Sequence, residues 1–158
     1  LDSIQSFSGP DSAALAVTVT RLASALPNDS AGRFSGLPFV VRTMWRFTIS
    51  GDIQVLVATL ARQINQEATP LQEHTLLIAE RHVKGNDTTF SRAYSERSYG
   101  PEETIENAEV LAAAQLGANR NPAIILSRDF GDVTAYGLLE RGDDGHWRAR
   151  WTSARRHC

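Results

Sequence analysis

The sequence has one cysteine, one lysine and one methionine in 158 residues: Cys158, Lys84 and Met44. A single cysteine excludes an internal disulfide, and without a CxxC pair or ordered Cys/His spacing no zinc-site pattern exists. No uncharged run approaches the ~18 residues needed to span a bilayer as a helix. Charge of one sign is missing too. Sixteen basic against 18 acidic side chains leave a net charge of −2, which removes the global electrostatic case for a nucleic-acid partner. No serine sits in a GxSxG elbow and Cys158 has no base placed to activate it, so nucleophilic catalysis lacks its parts. These absences leave no catalytic residue, metal or cofactor to expect, and an enzyme is the less expected reading.

What remains has the composition of a globular domain, 42% hydrophobic and 22% charged, long enough for one core plus an extension. Apart from Lys84 every basic side chain is arginine. Arginine forks carboxylates and phosphates, but an alanine- and glycine-rich chain also accumulates arginine through genomic composition. A chain beginning at Leu1 is expected to be a processed product or a fragment, and a cleaved export signal would account for it.

Along the chain the periodicity changes. PDSAALAVTVTRLASALP offers Asp11 or Ser12 as a cap and Leu15, Val19, Leu22 and Leu26 at helical spacing, so a short amphipathic helix is predicted there. LPNDSAGRFSGLP reads as a linker, dividing an N-terminal arm, residues 1–38, from a β-rich domain, 39–158. In FVVRTMWRFTIS the period is two, with Val41, Thr43, Trp45, Phe47 and Ile49 on one face and Arg42, Met44, Arg46 and Thr48 on the other. Ser50-Gly51-Asp52 turns the chain into the apolar strand IQVLVATLARQI, and HTLLIAERHV with TTFSRAYSERSYG makes a second hairpin. Asn107 caps a brief inserted helix through Val110, Leu111 and Ala114, stopped by Gly117. AIILSRD, VTAYGLLE and HWRARWTSA close the chain as a meander. Trp45, Phe47, Trp147 and Trp151 all fall on the apolar parity of their strands and are expected in the core. The fold class is α+β: a mainly antiparallel, strongly curved sheet or partly open barrel of about seven strands, with an N-terminal helix and one short inserted helix.

Several motifs have plain readings. Asp129-Phe130-Gly131 and Arg141-Gly142-Asp143 are turns. Asn28-Asp29-Ser30 and Asn86-Asp87-Thr88 match the glycosylation triplet in loops. His146, His157 and Cys158 carry donor atoms, but the last two sit at a chain end without a third ligand. Glu102, Glu103, Glu106 and Glu109 read as a solvated face. His74, Glu80 and His82 share a strand parity with Leu76 and Ile78 between them. One sharper pattern concerns arginine: if strand 39–49 neighbours the terminal strand, Arg42, Arg46, Arg148 and Arg150 line one outer face, extended by Arg155 and Arg156, and could dock an acidic partner or lipid headgroups.

The N-terminal helix together with the ending DGHWRARWTS resembles NTF2-like cone folds, whose curved sheet encloses a pocket. INQEATPLQEHTLLIAER and GHWRARWTSARRHC resemble small exported bacterial proteins of unassigned activity. Two functions follow as expectations. The first is a non-enzymatic extrinsic subunit on the periplasmic or extracellular face of a larger membrane complex, such as a photosynthetic reaction-centre assembly. It would bind the complex's protein subunits through the helix stripe, Leu15 and Leu22, and through the arginines, without a transmembrane segment. The alternative is an NTF2-like small-molecule-binding domain or enzyme, for which His74, His82, Tyr94 and Asp129 are the first pocket candidates.

Overall fold

Strand β3 (Ile53–Ile64) is buried almost continuously from Val55 to Arg62, which requires a layer on each of its faces. The structure, a computed structural model, supplies both layers and describes residues 5–6, 10–27, 32–64, 70–84, 89–154 and 156–157. The glycosylation-like triplets, Arg155 and Cys158 lie outside the described residues, as do the side chains of Arg156 and His157.

The elements in chain order are β1 (Gln5–Ser6), α1 (Pro10–Ser24), β2 (Val40–Ile49), β3, β4 (Leu71–His82), β5 (Ser91–Pro101), β6 (Asn107–Leu116), β7 (Asn121–Phe130), β8 (Val133–Arg141), β9 (Trp147–Thr152) and β10 (Arg156–His157). They form an α+β fold with two antiparallel sheets. The first runs β1-β2-β3-β4-β5; the second runs β6-β7-β8, with β9 and β10 both pairing β8. From β2 to β5 and from β6 to β9 the chain runs as two meanders, while β1 joins β2 across α1 and β10 returns to pair with β8. A single curved sheet of seven strands is not what the chain builds. Among the described residues no helix is long and apolar enough to cross a membrane.

The two sheets face each other across a core of Phe47, Ile49, Val55, Val57, Leu76 and Ile78 from the first and Val110, Ile124, Leu126, Leu139 and Trp147 from the second. On the other side of the first sheet, Val19 and Ala23 of α1 pack against Leu56, Ala58, Leu60, Leu77 and Ala79. The same face holds a buried ion pair: Arg62 donates to both oxygens of Glu73 at 3.0 Å and to the Phe34 carbonyl at 2.6 Å, its guanidinium over the Phe39 ring. Five donors in a planar fork let one arginine meet all these acceptors.

Four bulges decide which side chains face inward: the register slips at Arg42, Ala93, Leu111 and Arg150. A one-residue slip moves every later side chain to the opposite face. The inserted helix expected over 107–114 is instead the edge strand β6. Its bulge sends Ala108, Val110 and Ala113 inward, a spacing of two then three that mimics a helix in an alanine-rich segment, and pairing to β7 overrides the helical propensity. In β9 the bulge turns Trp151 outward, 56% exposed, while Trp147 stays 4% exposed in the core. The expectation that Trp151 is buried is therefore corrected. Phe47 is buried and Trp45 packs half-buried against the same core.

Candidate functional site

The interior between the sheets closes at one end and opens at the other, and the strand residues that line both ends come from the same face of β4. In chain order that face carries Gln72, His74, Leu76, Ile78 and Glu80. Leu76 and Ile78 are core. Glu80 closes one end: it accepts from Arg141 at 2.8 and 3.0 Å and from the Trp147 indole at 2.6 Å, with the Trp147 ring edge-on to Phe47.

Around His74 the space is open. A cleft of about 110 Å³ reaches inward between β4, β5 and the start of β6. It shares Arg42, Thr59, His74, Asn107 and Ala108 with a wider mouth of about 370 Å³. Pairing of Leu76 with Glu96 and His74 with Ser98 brings the inward side of β5 to the cleft. Arg128 of β7 reaches in from the second sheet and pairs with Glu96 and with Glu106. Its place depends on Gly137: a Cβ there would stand 2.9 Å from Arg128 Nε. Glycine inside a strand often marks such a close approach. Burial works against the Arg128 charge, but the Glu96 and Glu106 carboxylates outweigh it and raise its pKa. The Tyr94 hydroxyl donates to Glu96 at 2.8 Å, and burial together with that carboxylate pushes the phenol pKa up.

His74 Nδ1 lies 3.0 Å from the Glu106 carbonyl and Nε2 lies 2.8 Å from Gln72 Oε1. Burial lowers the imidazole pKa below its ordinary value; the Glu106 carbonyl raises it, the Arg42 charge lowers it and Glu102 raises it. Among the described residues Gln72 Nε2, Thr75 Oγ1, Glu96 Oε1 and Arg128 Nε are buried without a hydrogen-bond partner; Arg128 Nε lies against Gly137. The Thr43 and Thr59 hydroxyls bond to each other at the mouth.

Of the pocket residues expected from sequence, His74 lines the cleft and Tyr94 holds Glu96 behind it. His82 is exposed at the end of β4 beyond Glu80, and Asp129 accepts from Thr134 at 2.6 Å beyond the cleft. The arginine stripe is not assembled. β2 pairs with β1 and β3 while β9 pairs with β8, so Arg46 and the pair Arg148 and Arg150 belong to different sheets. Arg148 is held by Asp144 and Arg150 by Glu140. The bulge at Arg42 removes it from the Arg46 parity and puts it at the cleft mouth. That bulge also puts Val41 beside Met44 against the helix-side core. Leu15 and Leu22 are half-buried against the same core. Glu96, Glu106, Arg128 and Gln72 were missed by sequence reading; the parity of Gln72 with His74 was a usable signal, whereas the Arg128 contacts join distant strands.

Fold and cleft together define the class: an α+β domain with a helix backing one of two antiparallel sheets and a polar cleft at one end between them. Compared with protein-family models, with curated proteins and with solved structures, the chain gives no match.

Proposed function

We propose that the chain is a small-molecule-binding domain whose ligand enters between the sheets at the His74 end. One observation carries this reading: a place continuous with the apolar core is instead a cleft lined by charged and amide groups, where the buried Gln72 Nε2 has no acceptor among the described residues. An unmet buried polar group costs about 1–3 kcal/mol, so such groups call for a ligand, water or ion to complete them. A concave site with a few convergent polar groups is the usual form of a ligand site. An NMR-detected screen of small polar fragments is expected to move the amide resonances of residues 72–76, 96–98 and 106–108. Fragments that bind only elsewhere, or not at all, overturn the reading.

A second reading is favoured by the outer face of the second sheet, where Tyr136 and Trp151 are exposed beside an apolar groove they share with Thr134 and Ser153. Exposed aromatic patches mark protein contacts. On that reading the domain is an extrinsic subunit of a larger membrane-associated complex, peripheral on the periplasmic or extracellular face, as in a photosynthetic reaction-centre assembly. Loss of complex retention in Trp151→Ala would support it.

A further inference from the structure

The polar groups around His74 have a mismatch of a particular sign. Both ring nitrogens face acceptors, the Glu106 carbonyl at 3.0 Å and Gln72 Oε1 at 2.8 Å. Only an imidazolium donates from both nitrogens; a neutral imidazole has one donor and one bare lone pair. With His74 neutral, the Gln72 amide turned over gives its NH2 group to Nε2; with His74 protonated, Oε1 accepts from Nε2–H and the NH2 group is released towards the cleft. In the arrangement found, which is that of the protonated ring, the NH2 group of Gln72 has no acceptor among the described residues although the residue is 2% exposed and lines the cleft mouth.

The charges facing His74 decide what can complete this set. Arg42 of β2 makes no ion pair among the described residues, and its bulge directs it to the cleft. Bulges commonly re-aim a side chain beside a functional site. From β5, Glu96 is ion-paired by Arg128 at 2.5 Å, which answers the Oε1 that accepts no hydrogen bond, and Arg97 lies 3.9 Å from Glu73 on the opposite face. Arg128 of β7 also holds Glu106. From the turn before β6 and from β6 itself, Glu102 and Glu109 stand exposed at the rim, and at the imidazole the Arg42 charge outweighs that of Glu102. The space therefore offers a guanidinium, an amide NH2 without an acceptor and a ring that gains a second N–H on protonation. It needs a small acceptor with negative charge.

We infer that the cleft takes up a small carboxylate together with one proton, the carboxylate meeting Arg42 and the Gln72 amide and the proton residing on His74 Nε2. The inference rests on the small-molecule reading of the cleft and adds the class of ligand. The proton comes from solvent and adds to the imidazole lone pair; no bond in the ligand is made or broken. Burial disfavours the imidazolium in the empty cleft, and the arriving anion supplies the counter-charge that lets it form.

Isothermal titration with acetate and benzoate, near the ordinary histidine pKa of about 6.5, in two buffers of different ionisation enthalpy reads the linked proton directly on the unaltered protein. Binding with uptake of a substantial fraction of one proton, tightening as pH falls, is expected. Acetamide and benzamide, of nearly the same shapes, should bind at least about tenfold more weakly. Arg42→Gln should weaken carboxylate binding by about tenfold or more, and His74→Gln should abolish the proton uptake. Carboxylate binding without proton uptake overturns the inference. So does preferential binding of the amides, which leaves the cleft as a small-molecule site. If none of the four probes binds or moves the resonances of residues 72–76, the inference fails, and the broader fragment screen decides whether the cleft reading falls with it.

Discussion

His74 and Glu80 lie on the same face of one strand, one at each end of the inter-sheet space, and their surroundings are opposite in kind. Glu80 offers acceptors and meets donors: the Arg141 fork and the Trp147 indole use its carboxylate, and the buried Trp147 ring packs edge-on to Phe47 beside them. His74 meets acceptors with both nitrogens, while Gln72 keeps an NH2 group that nothing among the described residues accepts. A satisfied polar group between packed rings holds the sheets together. An unsatisfied one beside an open space is a site awaiting its complement. Position on a strand thus says which face a residue has, and the sign of its partners says what the residue is for.

Truncating the closed end should have the largest effect. Trp147→Ala removes a buried ring and leaves Glu80 without its indole donor, an expected loss of about 3–5 kcal/mol in urea unfolding. A loss no greater than that of a surface substitution would break the contrast between the ends. The open end is expected to reveal itself through pH. Because the His74 pKa is lowered in the fold, the unfolded chain takes up the proton first, so this group's contribution is fully present above the ordinary histidine value and declines as pH falls through it towards the lowered folded value. Urea midpoints of the ligand-free protein should therefore fall more between pH ~7.5 and pH ~5 than those of His74→Gln; equal pH profiles would remove the buried, neutral histidine from the description. The smallest effect belongs to Trp151→Ala, within about 0.5 kcal/mol, since that ring lies on the outer face. The two tryptophans are only four residues apart, so their difference tests the bulge at Arg150 directly.

The same bulges explain what was legible in the sequence. Where pairing is regular, as from Thr43 to Ile49 or along β7 and β8, alternation in the sequence gives the inward face, and Phe47, Trp147 and the C-terminal meander are read correctly. Where a residue is inserted, alternation breaks: Leu111 makes a strand look helical, Arg150 sends Trp151 outward, and Arg42 leaves the arginine face for the cleft. The sequence contains the inserted residue but no local mark of it, since which residue bulges depends on the partner strand. Parity grouped His74 with Glu80 and His82 but could not tell the cleft histidine from the exposed one. Its neighbours Glu96, Glu106 and Arg128 come from later elements, and only the meeting of the two sheets brings them together.

The difference between the two ends is measured most directly by making the same substitution at each. Urea unfolding of His74→Leu and Glu80→Leu near pH ~7.5, where an ordinary histidine is neutral, compares an apolar side chain in both places. Glu80→Leu should lose about 3 kcal/mol, because the half-buried Arg141 and the buried Trp147 indole are left without their acceptor. His74→Leu should lose distinctly less, about 1 kcal/mol, because the Gln72 oxygen that loses the ring borders an open cleft that water can enter, the Glu106 carbonyl keeps the Ser98 hydroxyl as a donor and a desolvated ring is removed. Comparable losses at the two ends would contradict the account, making His74 a structural residue like Glu80 and the cleft a gap in the core.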